Sequence, residues 1–177
     1  MNLSNQMFDV IKGDLEVLEQ GLQEAVTSTN DLVTEVGMHI VTSGGKRIRP
    51  ALCLLSARGG RAFDLPHVLP LAEALELIHT ASLVHDDVID EADTRRGAAT
   101  ANARWNNQVA ILSGDYIFAR AFTLIAEEGY DPYVSKRLAD LVCNLSVGEI
   151  IQDHAVYQAS RGMADYYERI QKKTADF

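Results

Sequence analysis

Cysteine is nearly absent from this chain of 177 residues, and long apolar runs are missing altogether. Cys53 and Cys143 have no metal-type partner beside them, which excludes a disulfide-dense scaffold and a cysteine-built metal centre. Both fall in apolar helical patterns and are expected to be small buried hydrophobes in a reducing cytosol. No window approaches the roughly 18 uninterrupted apolar residues of a membrane span, so no transmembrane segment is expected. The opening MNLSNQMFDVIKGDLE places acids where a secretory signal needs an apolar run. A cytoplasmic protein is therefore the expectation. Positive charge is scarce too: 16 Lys and Arg stand against 25 Asp and Glu, a net charge of −9. A general nucleic-acid binder is normally basic, so no nucleic-acid partner is expected. Strict apolar–polar alternation over a strand length is also missing, which turns the reading toward helices.

Apolar residues make up 47% of the chain, which argues against disorder. They recur at helical spacing in Phe8, Ile11, Leu15, Leu18 and Leu22, then in Leu32, Val36 and Ile40. Further runs are Leu69, Ala72, Leu75, Leu77, Ile78 and Leu83; Ile111, Ile117, Phe118 and Phe122; and Leu138, Leu141, Val142, Leu145 and Ile150. Pro50, Pro66, Pro70 and Pro132 each suit a helix start. Gly44-Gly45 marks a loop after the second helix, and Gly59-Gly60 the end of the third. Gly97 is expected to close an acid-rich helix, and Gly129 another. The pattern predicts an all-α antiparallel bundle of about seven helices with short connections. With no linker, repeat or low-complexity segment, residues 1–177 read as a single all-α domain.

The scarce positive charge is concentrated. Lys46, Arg47 and Arg49 lie together, as do Arg95 and Arg96, and local basic spots in an acidic protein point to a small anionic ligand. The second pair follows His-Asp-Asp-Val-Ile-Asp at residues 85–90. On a helix, Asp86 and Asp90 are four apart and share a face. Like charges so placed repel, and a hard cation is the natural compensation. Mg²⁺ is typically held by one or two carboxylates plus substrate phosphates. Guanidinium groups match phosphate oxygens. Acids followed by Arg-Arg-Gly therefore suggest a Mg²⁺–diphosphate site.

Gly44-Gly45-Lys46-Arg47-Ile48-Arg49-Pro50 is the second signal. Glycines allow close approach to a ligand, and a helix start favours anions. The Walker spacing is absent. His79 lies two turns before Asp86 on nearly the same face, whereas His85 reads as structural.

Taken in order, GGKRIRP, ELIHTASLVHDDVID, RRG, Gly114-Asp115, GEIIQ and KKT resemble the trans-isoprenyl diphosphate synthases, the polyprenyl synthetases. The match runs from Gly44 to Thr174. The resemblance implies an isoprenoid synthase-like bundle and a Mg²⁺-dependent prenyltransferase. Such an enzyme condenses isopentenyl diphosphate with an allylic prenyl diphosphate into a longer trans-polyprenyl diphosphate. Carried over by motif, Asp86 and Asp90 would ligate Mg²⁺, with Asp87 in support. Lys46, Arg49, His79 and Arg96 would hold isopentenyl diphosphate. Arg95, Lys173 and Thr174 would hold the allylic diphosphate, with Lys173 among the catalytic residues and Gln152 in the same cavity. Ala81 and Ser82 precede Asp86 by five and four residues. Their small size leaves a growing tail room, which favours a medium or long product such as a quinone side-chain precursor. A homodimer is implied as well.

One departure matters. The family carries a second aspartate-rich motif on a later helix, and no second DDxxD follows Asp93. Glu149 and Asp153 are four apart, but no basic partner follows them, and they read as a polar helix face. Asp115 reads as a structural helix acid at least as readily as a functional one. The chain is thus expected to be the N-terminal part of a synthase, truncated at its C-terminus. The alternative is a non-catalytic or truncated partner subunit. A terpene cyclase also uses DDxxD, but it has no isopentenyl diphosphate for GGKRIRP to bind.

Overall fold

In a computed structural model, which describes residues 8–154 and 162–177, the helical spacing yields eight α-helices among the described residues. They are α1 (Lys12–Ala25), α2 (Asp31–Thr42), α3 (Ile48–Arg58), α4 (Leu65–Ile89), α5 (Ala101–Arg104), α6 (Asn107–Glu128), α7 (Pro132–His154) and α8 (Met163–Ile170). A π-type turn, Gln171–Ala175, continues α8. The helix beyond the expected count is the single turn α5, too short to show an apolar period. The chain divides into two compact units, Met1–Gly129 and Tyr130–Phe177.

In the first unit α4 is the spine, packed along α6 and against α3 and α1. Its Leu77, Ile78 and Ala81 are fully buried, as are Ile11, Leu18 and Leu22 near or on α1 and Ile117 and Ala121 on α6. Each buried Leu or Ile contributes roughly 1.5–3 kcal/mol. A second cluster of Val36, Val84, Ala101 and Ala110, with Ile40, Val88 and Trp105 against it, joins α2, α4, α5 and α6. By length and composition α6 could cross a membrane. Its apolar face, with Ala110, Ile117, Ala121 and Ile125 buried, is used for packing in this unit.

Side chains set the boundaries. Asn30 and Asn106 accept from the N–H groups of Val33 and Val109 at 3.2 and 2.9 Å and so cap α2 and α6. Pro50, Pro66 and Pro132 stand in first turns, where a missing N–H costs nothing. Pro70 corrects the expectation, because it lies inside α4 and removes one helical hydrogen bond. Gly97 does not close the acid-rich helix either. Glu91, at φ 51°, turns the chain out of α4. Arg96 and Gly97, at φ 55° and 84°, then form the turn of a hairpin between β1 (Thr94–Arg95) and β2 (Ala98–Ala99). Two successive positive φ values are what a two-residue hairpin turn requires.

In the second unit α7 buries Leu138, Leu141 and Gly148, and α8 and the π-type turn pack on it. Gly148 is required there, since a Cβ would come within 2.9 Å of Lys173 Cγ. Cys143 is exposed, contrary to expectation, because it lies across α7 from Leu141, and Cys53 is half-buried.

Candidate functional site

α4 presents the first group of expected residues. Asp86 is half-buried, and Asp90, which caps the helix, is exposed. The Asp90 N–H donates to the Asp86 carbonyl at 2.8 Å, so the two carboxylates lie one turn apart. Asp87 points elsewhere. It is 6% exposed and accepts from Arg95 Nε and Nη2, both at 2.7 Å. Burial pushes its carboxyl up, and Arg95 opposes that shift. Asp87 is thus the anchor of Arg95, and the hairpin delivers that arginine to the end of α4. Among the described residues no three His, Cys, Asp or Glu side chains converge. Two hard oxygen donors suit a Mg²⁺ ion that keeps water and phosphate ligands, so Asp86 and Asp90 fit the expected metal.

The second group is brought together around a cavity of about 470 Å³. Lys46, Arg49, His79 and Arg96 all line it, with Arg47 and Glu76. Lys46 is exposed on the loop, and Arg49 sits in the first turn of α3. Burial lowers the Arg49 pKa, and Glu76 opposes the change. His79 is pushed down to about 4, first by burial and then by Arg49, Arg96, Arg95 and Arg47. It is a neutral imidazole at physiological pH, able to offer an N–H to an anion. Arg96 donates to the Gly44 carbonyl. A Cβ on Gly45 would sit 2.6 Å from Arg96 Nη1 and 3.1 Å from Arg47 Nη1, so Gly45 lets the loop pass close to two guanidiniums, while Gly44 supplies a positive φ of 83°.

Sequence reasoning missed Arg47 as a buried residue. It is 9% exposed and donates to Glu19 at 2.5 and 2.9 Å, to Glu76 at 2.9 Å and to the Val41 carbonyl at 2.8 Å. Its φ of 47° turns the side chain inward. The available signal was Glu76, an acid three residues before His79 on an apolar helix.

The second unit gathers its own expected residues. Lys173 Nζ pairs with the Glu149 carboxylate and donates to Gln152 Oε1 at 3.2 Å. Gln152 Nε2 donates to Glu149 Oε1 at 3.0 Å. Glu149 therefore has the basic partner it was expected to lack, because the π-type turn brings Lys173 back against Gly148. Thr174 is exposed on that turn.

Ala81 and Ser82 part company. Five residues turn a helix through about 500°, which sets Ala81 roughly 140° around from Asp86, and there it is fully buried. Ser82 shares the Asp86 face, and its hydroxyl donates to the His79 carbonyl at 2.8 Å. His85 faces α6, with Nε2 at 3.1 Å from the Ile111 carbonyl and 3.4 Å from Asp115 Oδ1. Gly114 admits that ring, since a Cβ there would collide with it.

Residues 30–177 match the family model described as polyprenyl synthetase. Among curated relatives, the heptaprenyl diphosphate synthase component 2 of Geobacillus stearothermophilus is 44% identical, over 96% of this chain and 52% of its own length. The all-trans-nonaprenyl-diphosphate synthase (geranyl-diphosphate specific) of Rhodobacter capsulatus is 41% identical, over 92% of this chain and 50% of its own. The chain thus spans about half the length of these curated relatives. Among solved structures, the decaprenyl diphosphate synthase of Rhodobacter capsulatus superposes with a TM-score of 0.90 at 35% identity, covering 97% of this chain and 53% of that one. A polyprenyl synthase of Caulobacter crescentus, solved with calcium and isoprenyl diphosphate, gives 0.91 at 32% identity, covering 97% and 52%. An all-α fold of this likeness and a family match over residues 30–177 leave one assignment: the chain belongs to the polyprenyl synthetase family.

Proposed function

We propose that the chain carries the isopentenyl diphosphate site and the first metal-binding carboxylates of a trans-prenyltransferase. In the reaction the allylic C–O bond breaks and diphosphate leaves. The isopentenyl double bond then forms a C–C bond to the allylic carbon, and a proton is lost. The single observation that carries this reading is the convergence of Lys46, Arg49, His79 and Arg96 on one cavity, beside the helix that ends in Asp86 and Asp90.

The roles follow from chemistry. Lys46, Arg49 and Arg96 attract the diphosphate by charge, and neutral His79 adds a hydrogen bond. Arg95, fixed by Asp87, grips the allylic diphosphate. Mg²⁺ held by Asp86 and Asp90 would stabilise negative charge on the leaving diphosphate. Within the second unit, taken by itself, Gln152, Lys173 and Thr174 are proposed to contact a diphosphate, for which Lys173 must exchange its Glu149 partner. The small side chain of Ser82 on the Asp86 face, with Ala81 buried round the helix from it, favours a medium or long product, a quinone side-chain precursor. The relatives named for heptaprenyl and nonaprenyl products support that choice. A cytoplasmic homodimer completes the reading. A second reading, a partner subunit that needs another chain, draws support from the half-length coverage and from two relatives named component 2.

The test is incubation of the chain with Mg²⁺, labelled isopentenyl diphosphate and farnesyl diphosphate, with products sized by chromatography. Metal-dependent elongation that falls by about a hundredfold or more in Asp86→Ala is the expected result. No elongation by the chain alone, restored on adding a second chain, would favour the partner-subunit reading.

A further inference from the structure

Arg47 lines the same cavity as Lys46 and Arg49, yet its guanidinium is already committed. It makes four hydrogen bonds, to both Glu19 oxygens, to Glu76 and to the Val41 carbonyl. A guanidinium has five N–H donors, so little of it is left for a ligand. Those bonds tie the loop to α1, to the end of α2 and to α4. The residue holds a left-handed backbone, φ 47°, which a bulky side chain adopts only when its surroundings impose it.

The second half of the argument is Glu76. It is 3% exposed and stands in the wall of a cavity whose other charged lining residues are the cations Lys46, Arg47, Arg49 and Arg96. Left uncompensated, its carboxylate would repel a diphosphate at short range in a poorly screened setting. Arg47 Nη1 answers that charge at 2.9 Å, while the Glu76 field still reaches Arg49. We propose that Arg47 is a positioning residue for the isopentenyl diphosphate cavity, cancelling the Glu76 carboxylate and clamping the loop that presents Lys46 and Arg49. The inference rests on the reading of the cavity given under Proposed function. Lysine cannot replace arginine here, because a single ammonium does not span Glu19, Glu76 and Val41 together.

Calorimetric titration of isopentenyl diphosphate into the 177-residue chain tests it, alongside thermal melts followed by circular dichroism. Arg47→Met should weaken binding by about tenfold or more. Adding Glu76→Gln to Arg47→Met should recover most of that loss. Because it also removes an uncompensated buried charge, the double variant should melt higher than the single one, and binding is compared well below both midpoints, where both variants are folded. A purely structural role predicts instead that the double variant binds no better than Arg47→Met. That result overturns the proposal, and so does unaltered binding by Arg47→Met. If Arg47→Met does not fold, Arg47→Lys replaces it. Several-fold weaker binding, relieved by Glu76→Gln, then supports the proposal, and wild-type affinity overturns it. Lys46→Ala separates the two levels of the argument. Binding that responds to Lys46→Ala but not to changes at Arg47 overturns the role of Arg47 alone. No binding by the unaltered chain, or no response to Lys46→Ala, overturns the reading of the cavity as well.

Discussion

Glu73 and Glu76 lie three residues apart on α4, and at 5% and 3% exposure both are shut off from water. Their surroundings differ. Glu76 faces the basic cavity and holds Arg47. Glu73 faces a groove of about 280 Å³ between α1, α4 and α6. There Gly21 leaves room for its carboxyl, and the charge that acts on it is that of Glu24, of the same sign. Arg120 lines this groove but donates to the Ala25 carbonyl at 2.8 Å. Burial, followed by Glu24, pushes Glu73 up to about 7. Burial alone therefore does not decide what a buried acid does. An acid met by an arginine becomes a fixed part of a charged site, and one without a cation becomes a group that titrates near neutrality.

Removing the cation from the paired region should have the largest effect. Arg47→Met leaves Glu76 buried without its partner, and breaking a buried pair from one side costs about 3–5 kcal/mol. A urea titration at pH 7 should show the midpoint fall accordingly. If the loss stays within a few tenths of a kcal/mol, the contrast between the two glutamates collapses.

The unpaired region makes a pH prediction of the opposite kind. The folded pKa of Glu73, about 7, lies above its ordinary value of 4.5. Its stability contribution is therefore fully present below pH 4.5 and is lost as pH rises through 7. Glu73→Gln should abolish about 2–3 kcal/mol of that loss. The variant would overtake the parent in stability at pH 8. Denaturation midpoints for both proteins at pH 5 and pH 8 give the difference directly.

His79 sharpens the comparison with a slope of reversed sign. Its folded pKa, about 4, lies below its ordinary 6.5. The stability it contributes is present above pH 6.5 and is lost as pH falls through about 4. His79→Gln should flatten roughly 2 kcal/mol of acid-side loss. Glu73 and His79 thus act in opposition between pH 4.5 and 6.5, and the parent protein should show a shallower pH dependence there than either variant.

The α-helical bundle was legible because burial imprints a period, and the Leu, Ile and Val steps of α1, α4 and α6 carry it openly. Hairpin and proline details were not. Arg96-Gly97 is a turn only because the chain leaves the helix at Glu91, and Pro70 is tolerated because α4 is held on several sides. In the site, Lys46, Arg49, His79 and Arg96 could be picked out one by one, because charge and glycine stand out in an acidic, apolar chain. Arg47 could not. Its partners Glu19 and Glu76 are remote in sequence, and an arginine between two other cations reads as solvated. Glu149 was misread for the same reason, since Lys173 reaches it from 24 residues away.

That last pair gives the smallest stability effect and a test of its own. Lys173 and Glu149 keep 27% and 18% of their side chains exposed, so solvent screens part of their attraction. Lys173→Met should shift the denaturation midpoint by about 1 kcal/mol or less, well below the effect at Arg47. If Lys173 serves the allylic diphosphate, the same variant should weaken farnesyl diphosphate binding while leaving isopentenyl diphosphate binding close to that of the parent. Titration with each diphosphate separately reads this out. A variant that loses several kcal/mol and binds both ligands alike would make the Lys173–Glu149–Gln152 cluster a structural clamp of the second unit. In that case pairing with an acid, rather than ligand contact, would explain the cation in both regions, Arg47 in the first and Lys173 in the second.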